Sequence, residues 1–181
     1  MARQRLGTAI VHRDPAVGLR HLQLATESLA RLHRADESNA ERRLDLVRAH
    51  RDLGRVLLTK GAVTQAVEEE HKALALLAPA ASAGADDRRR RILQGEVWIA
   101  LGEALSAAAR TGEARAVWEQ AASTLTPMAA ESRDPRVLAP LAHALLRLGR
   151  REEARPALER LRTSGYRRWD FDRVLRRQVA G

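Results

Sequence analysis

Residues 96–127, EVWIALGEALSAAARTGEARAVWEQAASTLTP, decide how this chain folds. Trp98, Leu101 and Leu105 recur at spacings of three and four, with Gly102 beside them, so they share one helical face. Ala114, Trp118 and Ala121 repeat those spacings on a second helix, and Pro127 is expected to close it. Gly102, Ala114 and Ala121 are small. Placed where two antiparallel helices cross, they let the backbones approach, and the larger apolar residues fill the space on either side.

The pattern recurs on both sides of this stretch. Upstream it reads His50, Leu53, Gly54, Leu57, Gly61, Ala66, Ala73 and Pro79. Downstream it reads Leu138, Leu141, Ala142, Leu145, Gly149, Ala154, Leu158 and Leu161. Ala66, Ala114 and Ala154 correspond, at intervals of 48 and 40 positions. PAASAGADD at 79–87 and TPMAAESRDP at 126–135 are the expected places for inserted length. Leu161 replaces the last small residue, so the third unit is expected to pack less tightly. Pro140 and Pro156 fall beyond the first position of their helices, which predicts a kink or a late start.

These residues resemble the tetratricopeptide repeat, whose pattern is Trp, Leu-Gly and Tyr on one helix, then Ala and Phe on the next, closed by Pro, in units of about 34 residues. Leu105 stands in the Tyr position and Trp118 in the Phe position; both keep a bulky apolar group. The resemblance implies an all-α fold, an α-solenoid of antiparallel helical hairpins. The expected units are 39–79, 86–127 and 134–164. They are preceded by a partial repeat over 1–34 and followed by a capping helix over 169–179, all forming one domain across 1–181. In the partial repeat, LGTAIVH is the tail of a shortened first helix, and Asp14-Pro15 reads as an N-cap and first helical residue. At the other end Gly165 suits a helix C-cap and Asp170 an N-cap. Phe171, Val174, Leu175 and Val179 recur at helical spacing, with Tyr166 and Trp169 expected to pack back.

Composition agrees with helices. Hydrophobic residues make up 45% of the chain but aromatics only 3%, so Ala and Leu must supply the core volume. No alternating β-branched run marks a strand. With no cysteine there is no disulfide framework and no thiolate metal site. No apolar run approaches the roughly 18 residues of a membrane span, and MARQRLGTAIVHRDP has no signal-peptide pattern, so a cytoplasmic protein is expected. The net charge is +9, and among 32 basic residues only Lys60 and Lys72 are lysine. A basic total without a basic motif is read as compositional, and nucleic acid is not the expected partner.

Catalysis is not expected. His12-Arg13-Asp14 copies the start of a protein-kinase catalytic loop, but the position that needs a metal-binding Asn holds Leu19, and no Asp-Phe-Gly follows. Of the histidines His12, His21, His33, His50, His71 and His143, no two lie three or four apart, so no helical metal pair exists. Glu68, Glu69 and Glu70 read as a charged helix face, not a placed acid/base pair. Arg88, Arg89, Arg90 and Arg91, after Asp86 and Asp87, read as a solvated helix start. Trp98 and Trp118 fall on packing positions. No cofactor and no metal are predicted.

In the family the first helix of each unit lines the inner face of the superhelix. Carried over, that face holds Arg48, Arg51 and Arg55, then Glu96, Ile99 and Glu103, then Arg136, Ala139 and His143. The three arginines share one helical face, and each guanidinium can bind a carboxylate bidentately. The resemblance therefore implies a non-catalytic scaffold binding a protein or peptide, with an acidic segment as the candidate ligand. A chaperone-type clamp is not expected, because the matching positions, Arg51, Arg55, Ala100, Arg136 and Pro140, contain no Asn. Asp36-Glu37-Ser38-Asn39 and the Gly-Tyr-Arg ending also resemble tetratricopeptide tails of bacterial serine/threonine kinases, so a detached regulatory tail is the first alternative. An RNA-binding helical repeat, suggested by the charge, is the second.

Overall fold

The computed structural model describes residues 15–77 and 85–164. Among these the chain forms seven α-helices and no strand: α1 (Pro15–Ala35), α2 (Ala40–Thr59), α3 (Val63–Leu76), α4 (Ala85–Ala107), α5 (Thr111–Ala129), α6 (Pro135–Arg147) and α7 (Arg151–Thr163). The described residues are all-helical, as the composition predicts. His12-Arg13-Asp14 and the segment from Gly165 through the predicted 169–179 helix lie outside the described residues.

Local chemistry sets the helix starts. The Asn39 carboxamide accepts the Arg42 amide at 3.0 Å ahead of α2, and the Asp134 carboxylate accepts the Arg136 amide at 3.0 Å ahead of α6, where Pro135 is the first residue. Helices α3, α5 and α7 have no side-chain cap. Each emerges instead from a turn of fixed design. The Ala62 amide reaches back to the Leu57 carbonyl at 3.0 Å, the Arg110 amide to Leu105 at 2.9 Å and the Arg150 amide to Leu145 at 2.8 Å. This is the six-to-one bond of a Schellman ending, which needs one left-handed residue. Gly61 (φ 78°) and Gly149 (φ 77°) supply it, and in the middle turn Ala109 does so at φ 58°.

The turns produce three hairpins, α2/α3, α4/α5 and α6/α7. Each second helix also packs on the first helix of the next hairpin, α2 lies against α4 and α4 against α6. Helix α1 packs on α2. Ala66, Ala114, Ala154, Ala73 and Ala121 are fully buried at these crossings. A Cβ on Gly102 would overlap the Trp118 indole, so the glycine is what admits the largest side chain of the core.

Three expectations need correction. Pro127 does not close its helix, because α5 runs on to Ala129. Buried Leu125 and Ala129 hold that last turn on the core, and the Arg160 guanidinium gathers the carbonyls of Ala129 (2.7 Å), Ala130 (3.1 Å) and Ser132 (3.1 Å). Pro140 and Pro156 do not delay their helices, which begin earlier, at Pro135 and Arg151; each proline sits inside. The Glu68–Glu70 run is not one charged helix face. Glu68 is exposed, Glu69 is partly buried, and Glu70 is buried at 1% exposure.

Candidate functional site

The face formed by α2, α4 and α6 carries the charged residues singled out from sequence. Arg48 is bound to Asp45 one turn back at 2.8 Å. Arg51 leaves its row to make two ion pairs, with Asp52 at 3.0 Å and with Glu96 of α4. Burial opposes its charge, but Glu96 and Asp52 outweigh burial and hold the guanidinium above arginine's ordinary value. Arg55, partly buried, faces the carboxyl of Glu70 electrostatically.

One hairpin further on, Glu103 of α4 is gripped by α6. His143 Nε2 lies 3.0 Å from Glu103 Oε1, and Arg147 Nε donates to the same oxygen at 2.5 Å, while the Arg147 Nη2 group binds Oε2. Burial pushes this carboxyl up, but the bonds from His143 and Arg147 prevail and hold it at about 2. The Arg147 guanidinium also lies 5.4 Å from the centroid of the Trp118 ring, a cation–π distance. Arg136 stands apart. It is exposed and bridged to the capping Asp134 at 2.9 Å. The structure thus joins Arg51 to Glu96, and Glu103 to His143, while Arg136 is bonded to Asp134 and feels Glu96 through its charge alone.

Ile99 and Ala139, the apolar residues assigned to this face, are buried. Arg147 and Asp52 were missed by sequence reasoning. Arg147 lies four residues after His143, a spacing that places both on one face and was the available signal. The basic run behaves as a helix start. Arg90 and Arg91 bind Asp87 at 2.6 and 2.7 Å, and Arg88 reaches Asp134 at 3.3 Å. Behind the face, His50 Nδ1 meets Glu69 Oε2 at 2.7 Å, and Lys72 bridges the same carboxylate at 2.5 Å. Burial raises the Glu69 carboxyl, but these two partners hold it below its ordinary value. Among the described residues no group of three or more His, Asp or Glu side chains is placed to hold a metal ion, and no helix is long and apolar enough to cross a membrane.

Comparison with known proteins adds no identification: no family model matches the chain, and no curated protein is similar to it.

Proposed function

We propose that this chain is a tetratricopeptide-like solenoid that binds a protein or peptide segment along the face of α2, α4 and α6, without catalysis. The observation that carries the reading is the repeated build: three hairpins with the same turn hydrogen bonds, whose first helices lie side by side. Side-by-side first helices form one continuous surface, and an extended segment can follow it across several hairpins.

The pairing on that face refines which residues meet a ligand. Arg51 is engaged by Glu96 and Asp52, and Glu103 by His143 and Arg147, so these groups are already paired within the face. Among the described residues Arg48 (35% exposed) keeps an intrahelical partner, and such pairs are worth about 0–1 kcal/mol, which a well-placed ligand carboxylate can displace. An acidic peptide at Arg48 is therefore the ligand this reading selects. The many arginines already bound to carboxylates argue against a surface that tracks nucleic-acid phosphates.

The test is fluorescence anisotropy with a panel of labelled acidic and neutral peptides at moderate salt. Saturable binding of acidic peptides, weakened at least several-fold in an Arg48→Gln variant with unchanged circular dichroism, is the expected result. Equal binding by the variant overturns the assignment of the face. Tighter binding of RNA than of any peptide overturns the class of partner.

A further inference from the structure

Each second helix carries one residue four positions after the small residue at its crossing. Following Ala66, Ala114 and Ala154, these are Glu70, Trp118 and Leu158. Trp118 is nearly fully buried and Leu158 partly. Position 70 thus asks for a bulky apolar side chain and holds a carboxylic acid instead. Glu70 is as buried as the leucines around it, at 1% exposure, and neither of its oxygens has a hydrogen-bond partner. The crossing is tight: a Cβ on Gly54 would lie 2.5 Å from Glu70 Oε1 and 3.2 Å from the Ala66 carbonyl. The charged groups facing it are Arg51, Asp52 and Arg55 from α2 and Glu69 from its own helix; on the far side of Arg51 stands Glu96 of α4.

We infer that Glu70 makes the α2/α3 hairpin a proton-dependent element: with the carboxyl protonated the crossing closes over it, and with the carboxyl ionised the hairpin opens. The physical reason is desolvation. A buried charge without hydrogen bonds is far costlier than a buried neutral acid, and burial accordingly pushes this carboxyl well above its ordinary value, against the pull of Arg51 and Arg55. Ionised, the group gains by moving out toward those two guanidiniums and water. Both are groove-face residues, so the opening also disturbs the Arg51–Glu96 tie. The inference stands on the hairpin alone and holds whether or not the face binds a peptide.

The sign is set by the raised carboxyl. Its protonated form is favoured in the closed state, so the stabilisation is fully present at low pH and is lost as pH rises above the ordinary carboxylate range. One proton released per opening raises the opening equilibrium by up to tenfold per pH unit across that window. Hydrogen exchange on the full chain at pH 5 to 9, corrected for intrinsic exchange, reads this directly. The expected result is that α2–α3 amides lose protection with rising pH while α6–α7 amides do not. Glu70→Gln, which keeps the volume and cannot ionise, abolishes the slope. Glu70→Leu, the residue at position 158, abolishes it and raises protection throughout; it serves if the Gln variant does not fold. A flat wild-type profile overturns the inference. So does a slope that persists in these variants, which assigns it to another group.

Discussion

Ala109 holds a left-handed backbone at a turn where the two equivalent positions are glycine. An L-residue there costs about 1–2 kcal/mol, partly returned by alanine's smaller loss of freedom on folding. Ala109→Gly is therefore expected to stabilise the protein slightly, by up to about 1 kcal/mol, and Gly149→Ala to destabilise it by about 1 kcal/mol. Paired urea melts check both, and the opposite sign in the two variants is the diagnostic. Glycine's role at 54 and 102 differs: there the missing Cβ makes room for Glu70 and Trp118. The sequence shows small residues at both places but not what fills the space. Position 70 reads as surface in a run of three glutamates, and only the neighbouring helix makes it interior.

Between elements, packing and ion pairs act together. Ala114 has no exposed surface at the α4/α5 crossing. Ala114→Leu is expected to cost about 1–3 kcal/mol by overpacking, read as a lower urea midpoint with an unchanged slope. The tie between α4 and α6 is electrostatic and so depends on pH. Glu103 sits at about 2 in the folded chain against an ordinary 4.5, so its stabilisation is fully present above 4.5 and is lost as pH falls toward 2. The linkage ceiling is about 3 kcal/mol, reduced by solvent and salt at a partly exposed site. Glu103→Gln should flatten stability across that acid range; an undiminished slope in acid urea titrations would place the dependence elsewhere. Arg51, with two carboxylates and 16% exposure, is expected to matter for folding as well as for the face. Arg51→Gln should lower the melting temperature where Arg48→Gln leaves it nearly unchanged, since losing one partner of a buried pair strands the other charge.

At the scale of the whole molecule, falling and rising pH should loosen different parts. Acid weakens the Glu103 junction of α4 with α6, and pH rising above the ordinary carboxylate range weakens the Glu70 crossing of α2 with α3. A thermal melting series from pH 3 to pH 9 is expected to pass through a maximum. In Glu70→Leu the high-pH limb should flatten while the acid limb stays, and a symmetric change on both limbs would contradict the separation of the two sites. The positive net charge does not translate into one basic surface, because arginines such as 51, 90, 147 and 150 already face carboxylates.

By itself the sequence determined the helical character of the described residues and which small residues lie at helix crossings. Those features are encoded within a few residues, in an apolar spacing of three and four. Tertiary structure decided what no local window contains. It carried α5 past Pro127 under the Arg160 guanidinium, turned Arg51 to Glu96 across 45 positions of sequence, closed His143 and Arg147 on Glu103, and buried Glu70. Desolvation and charge pairing depend on which helix lies opposite, and that is fixed only when the hairpins pack together.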